Sequence, residues 1–68
     1  MTLREKILFL TNLGYTQQKI EEKTKIEQSS ISRILNNVQK SVRYEKGLAL
    51  DLLVMEEKSQ QQITQDVI

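Results

Sequence analysis

Residues 16–37 read TQQKIEEKTKIEQSSISRILNN, and the fold turns on how this run divides. Thr16 is a helix cap, single-sided because Lys19 and not an acid stands three residues on. The helix it opens spans Gln17 to about Thr24, with Ile20 as its main anchor and an otherwise thin apolar face. Ile26 follows, isolated between Lys25 and Glu27. An apolar residue between polar neighbours in a turn plugs the gap between two helices. A further helix starts near Glu27 or Gln28, where Ile31, Ile34 and Leu35 recur at three- and four-residue spacing and form a buried stripe. Asn36 and Asn37 end it, since Asn tolerates the left-handed conformation and competes for backbone hydrogen bonds.

The opposite side of that helix presents Gln28, Ser29, Ser32 and Arg33, with Ser30 at its margin. Two short helices, a break of a few residues and a polar outer face make a helix-turn-helix unit. Short amide and hydroxyl side chains can approach a nucleic-acid groove closely and donate or accept at base edges. The link after the helix, VQKSVRY at 38–44, carries Lys40 and Arg43, with Lys46 just beyond. These cations are placed to touch a sugar-phosphate backbone.

Outward from this run, Thr2 caps a first helix with Glu5 completing a capping box. Leu3, Ile7, Leu8 and Leu10 or Thr11 supply its apolar face, and Phe9 is assigned to the core. The helix runs to about Leu13, and Gly14 is its stop. Tyr15 packs either toward Ile20 or against the first helix. On the other side, a last helix begins near Ser41 or Val42 and continues to Lys58. Gly47 within it implies either a close helix contact or a later start. The segment LALDLLVME at 48–56 is apolar on most sides, more than one small core absorbs, and the surplus predicts a dimer surface. Leu50, Leu53 and Val54 are assigned to it, with Ile63 and Val67 of the tail. The domain is thus residues 1–58, and 59–68 is a tail that is disordered or dimer-forming.

Composition bounds the rest. At 68 residues with no cysteine and no histidine, neither a disulfide framework nor a thiolate or imidazole metal site can support a small core. The fold class is all-α, stabilised by apolar packing among helices. No stretch approaches the roughly 18 apolar residues of a membrane span, and no signal-peptide segment opens the chain; a cytoplasmic location is expected. Residues 1–46 hold nine Lys or Arg against five acids, net +4, and residues 47–68 one Lys against four acids, net −3. A basic front and an acidic rear orient a molecule toward a polyanion. Scattered acids, no nucleophile–base pair and no glycine-rich phosphate loop predict that the chain is not an enzyme. No metal, cofactor or small-molecule ligand is expected.

Thr16 to Asn37 resembles the helix-turn-helix of the lambda-repressor-like family, which includes phage Cro-type and repressor proteins. Members commonly read TQxxLAxxxGVSQSTVSRIL, and Thr16, Gln17, Ile20, Ile26, Gln28, Ser29, Ile31, Ser32, Arg33, Ile34 and Leu35 fall on that pattern. The run QSSISRILN is its most specific part. The resemblance implies a compact fold of four or five helices, sequence-specific binding of double-stranded DNA, and a homodimer on a palindromic operator. It also implies that Gln17 fixes the start of its helix to a phosphate. Gln28 reaches a base edge, Ser29 and Ser32 lie over the groove, and Arg33 pairs with guanine or clamps phosphate. Departures from the pattern are Glu21 for a small Ala, Thr24 for Leu, Lys25 for the turn Gly and Glu27 for Ser. At Lys25 the turn either avoids positive φ or carries a strain of order 1 kcal/mol.

The expected function is a transcriptional regulator, acting sterically as a repressor of Cro type. The alternative is a protein-interaction adaptor or inhibitor that uses the apolar surface of the last helix. Salt sensitivity separates the two, because phosphate contacts release counterions and an apolar interface does not.

Overall fold

Thr2 opens the first helix with the reciprocal pair that its spacing to Glu5 predicts. The Thr2 hydroxyl accepts from the Glu5 N–H at 3.1 Å, and Glu5 Oε1 accepts from the Thr2 N–H at 2.8 Å. That second bond holds the Glu5 carboxyl below its usual range. In the computed structural model, which describes residues 1–66 and the side chains of residues 1–60, four helices follow. They are α1 (Leu3–Asn12), α2 (Gln17–Thr24), α3 (Gln28–Leu35) and α4 (Tyr44–Asp66). No strand occurs among the described residues.

Each short helix ends on a left-handed residue that closes its backbone. After α1, Gly14 has φ 104, and the N–H groups of Leu13 and Tyr15 both donate to the Leu10 carbonyl at 3.0 Å. After α2, Lys25 takes φ 66. Of the two options open at that turn, the chain accepts positive φ on a residue with a side chain. After α3, Asn37 takes φ 62, and the Arg33 carbonyl accepts from Val38 at 2.8 Å and Gln39 at 3.2 Å. These bonds satisfy carbonyls that a helix end otherwise leaves open.

Thr24, which occupies the place of an apolar residue, is 1% exposed. Its hydroxyl donates to the Ile20 carbonyl at 2.7 Å and accepts from the Ile26 N–H at 3.2 Å. The buried polar atom is therefore satisfied on both sides, and Ile26 drops into the gap between α2 and α3 at 1% exposure.

The core is Ile7 and Leu10 from α1, Ile20 from α2, Ile26 from the link, Ile31 and Ile34 from α3, and Leu50, Leu53 and Val54 from α4. Among the described residues, helices α3 and α4 each pack on α1 and α2 and not on one another. Phe9 lies half-buried against this core, with Lys58 Nζ 5.6 Å from its ring centroid. Tyr15 also packs on the core, and its hydroxyl donates to Glu57 on α4 at 2.7 Å. That bond, and then burial, push the phenol up to about 12. Lys6 on α1 pairs with Asp51 on α4.

Helix α4 departs from expectation in three ways. It begins at Tyr44 rather than Ser41 or Val42, its first bond running from the Gly47 N–H to the Arg43 carbonyl at 2.9 Å. Gly47 is thus in the first turn. A Cβ there would meet Val42 Cγ2 at 3.6 Å, an ordinary contact, so the later start and not a close approach accounts for the glycine. The helix also continues past Lys58 to Asp66. Finally, Leu50, Leu53 and Val54 are not a dimer surface. They are buried in the chain's own core, because α1 and α2 both pack on that side of α4. The exposed apolar residues of α4 are Tyr44, Leu48, Leu52 and Met55. Ile63 and Val67, assigned to the same surface, lie outside the residues whose side chains are described. No helix among the described residues is long and apolar enough to cross a membrane.

Two outcomes follow from the backbone and the Tyr15 bond. A left-handed residue with a side chain costs about 1–2 kcal/mol, and glycine loses about 0.5–1 kcal/mol of that gain to unfolded-state entropy. Lys25→Gly is therefore expected to stabilise the chain by roughly 0.5–1 kcal/mol in urea titration. A phenol raised on folding contributes stability that is complete below its ordinary value of 10 and lost as pH climbs through about 12. The stability advantage of the native chain over Tyr15→Phe should be constant below pH 10 and shrink across that window.

Candidate nucleic-acid interface

The burial of α3 follows its sequence period. Ile31 and Ile34 are 0% and 1% exposed, Leu35 is half-buried, and Gln28, Ser29 and Arg33 are exposed on the other side. Ser32, expected on the same open face, is half-buried, as is Ser30 at its margin. The polar row is therefore Gln28, Ser29 and Arg33 at full exposure with Ser32 set lower between them. Glu27 precedes α3 without a side-chain capping bond, and its carboxylate stands free at the positive end of the helix dipole.

Gln28 is not a free amide. Its Nε2 donates to Glu21 Oε1 on α2 at 3.2 Å, which commits one N–H and leaves the second N–H and Oε1 of the amide. Glu21 and Gln17 are four residues apart and share a face of α2, so Gln17, Glu21 and Gln28 form one line across the junction of the two helices. Gln17 is exposed at the first position of α2, beside the outward N–H groups of that helix end.

The segment after α3 brings further cations near. Lys40 and Arg43 are both exposed. Lys40 lines a half-open groove of about 600 Å³ together with Arg4 and Asn37, and a second groove of about 410 Å³ together with Lys6 and Arg43. Arg4 Nε donates to the Leu35 carbonyl at 3.0 Å, pinning the start of α1 to the end of α3 and turning the rest of the guanidinium toward solvent. Lys6 is the exception among these cations, being engaged by Asp51.

Three further residues stand at this surface. Arg4 reaches Leu35 across 31 positions, a distance that no local pattern encodes. Glu21 reads as a departure from a packing position, yet it orients Gln28. Asn36, the residue after α3, is exposed, with φ −91 and ψ 9; it follows Ser32 by four residues and Arg33 by three.

Chemically the row offers one carboxamide acceptor, hydroxyls, a second carboxamide at Asn36 and one guanidinium, with cations at its C-terminal flank. Among the described residues, no cluster of three or more acids is present that could hold a metal ion. No protein-family model, no curated protein and no solved structure matches this chain.

The Glu21–Gln28 bond is observable without any ligand. In Glu21→Ala, the Gln28 side-chain NH₂ resonances are expected to shift and exchange faster with solvent, while those of Gln39, which donates to the Ser41 carbonyl, stay in place; unchanged Gln28 signals would mean that the bond does not form in solution.

Proposed function

We propose that this chain is a sequence-specific double-stranded-DNA-binding regulator of the lambda-repressor-like type, with α2, residues 25–27 and α3 as its helix-turn-helix. The observation that carries the reading is the polar row of α3, exposed at Gln28, Ser29 and Arg33, with Arg4 bound to the last carbonyl of the helix and sharing a groove with Lys40.

In this reading α3 enters the major groove, where an α-helix fits and each base pair has a distinct pattern. Gln28 Oε1 accepts from adenine N6 or cytosine N4, its amide steered by Glu21, and its remaining N–H completes the pair to adenine N7. Arg33 offers its fork to guanine O6 and N7, or to a phosphate on the groove wall. Ser29, Ser32 and Asn36 lie over the groove floor. Gln17 binds a phosphate at the start of α2, and Lys40 and Arg43 bind phosphates past the end of α3. Glu21 and Glu27 oppose phosphate approach, which weakens indiscriminate binding more than binding at a fitted site. Occupancy of a promoter excludes polymerase without further machinery, so repression in the cytoplasm is the output, by a dimer on a palindromic operator.

The test is selection from randomised duplexes, followed by titration of the enriched sequence at several salt concentrations. Alanine at Gln28 or Arg33 should cost about 1–3 kcal/mol on the selected site and little on random duplex. Alanine at Lys40 or Arg43 should weaken both equally and flatten the salt slope by about 1. No enrichment by the folded chain would transfer the function to α4 and a protein partner, the adaptor reading.

A further inference from the structure

The side of α4 turned away from the core carries an apolar row with no cover among the described residues: Leu48, Leu52 and Met55 are 44%, 57% and 64% exposed, with Tyr44 at its edge. Their spacing of four and then three residues is that of alternating d and a positions, with Ser59 as the next a. A row of this size does not by itself name an occupant. Its flanks do.

On the flank facing α1 stand Asp51 and Lys58, seven residues apart at successive g positions; on the other stand Ala49 and Glu56 at e. The side chains agree with this assignment, since Asp51 pairs with Lys6 of α1 and Lys58 stands over Phe9 of α1. Asp51 Oδ1 is buried against Lys6, but the side chain remains 45% exposed, leaving its outer oxygen toward solvent.

We propose that this row is the contact with a second copy of the chain, the two α4 helices packing antiparallel with Leu52 of each opposite Met55 of the other. Flanking charges choose this arrangement over its competitors. In a parallel pair, g faces e, which sets Asp51 against Glu56 of the second copy twice over. In an antiparallel pair centred on Leu48 and Leu52, Asp51 meets Asp51. With Leu52 opposite Met55, g faces g and Asp51 meets Lys58 of the second copy, again twice by symmetry, while small Ala49 sits beside Glu56. Leu48 then lies opposite Ser59 at each end of the seam. Two-fold symmetry makes the surface self-complementary, as a closed homodimer requires. This contact rests on the dimer of the proposed function and supplies its seam; its test uses the chain without DNA, so that association and DNA binding succeed or fail separately.

Sedimentation of the native chain across a concentration series is expected to rise from 8.0 kDa to twice that mass. Lys58→Glu, which sets like charges together, should raise the dissociation constant at least tenfold at low salt with the circular dichroism of the chain unchanged, and the loss should shrink as salt is raised. Orientation is read by cross-linking, which is clean because the native chain has no cysteine. An oxidised equimolar mixture of Leu48→Cys and Ser59→Cys should give the mixed disulfide in excess over either homodimer. A chain that stays at 8.0 kDa at every concentration, or a Leu48→Cys homodimer as the main product, would overturn the proposal.

Discussion

The Thr24 hydroxyl, 1% exposed, is the point on which the arrangement of this chain depends. It donates back to Ile20 in the last turn of α2 and accepts from Ile26 beyond the turn. A leucine at this site would add apolar contact but could not take the Ile26 N–H, and a buried N–H without a partner costs about 1–3 kcal/mol. With that donor satisfied, Ile26 can fill the gap between the helices and Lys25 is committed to φ 66. The direction in which α3 leaves the turn is then fixed, and with it which side of α3 faces outward.

The parts of the structure that local chemistry decides were open to reading from the sequence. Thr2 with Glu5, Gly14 and Thr16 each signal a helix boundary through a bond made within a few residues, and α1, α2 and α3 lie where those signals put them. Ile26 was legible as a plug because it is apolar among charges. Helix α4 was not legible in the same way. Leu48, Leu50, Leu52, Leu53, Val54 and Met55 cover most of its circumference, so the sequence has no period from which to choose the buried side. The choice is made by α1 and α2, which take Leu50, Leu53 and Val54 inward and leave Leu48, Leu52 and Met55 outside.

The candidate site divides along the same line. Gln28, Ser29 and Arg33 are exposed as the period of α3 requires, because helix periodicity fixes them relative to Ile31 and Ile34. What surrounds them is long-range. Arg4 arrives from α1 to hold the last carbonyl of α3, and Glu21 crosses from α2 to take the Gln28 amide. Such groups modify the chemistry of the row without belonging to its pattern. Glu21 in particular takes one N–H of the Gln28 amide and so limits the orientations that the side chain can adopt.

Because α3 and α4, among the described residues, each rest on α1 and α2 and not on one another, the chain displays two outer surfaces of different chemistry on one frame. The α3 surface is short, polar and flanked by cations; the α4 surface is apolar and flanked by one acid and one base in self-complementary order. Substitutions at Arg33 and Leu52 share no partner and should combine additively to within a few tenths of a kcal/mol. Substitutions at Ile7 or Ile20, which serve both packings, should disturb both surfaces together. In a chain of 68 residues, an exposed polar row and an exposed apolar row thus rest on the same two central helices, and a groove lined by Lys40, Arg43, Leu48 and Asp51 adjoins the apolar one.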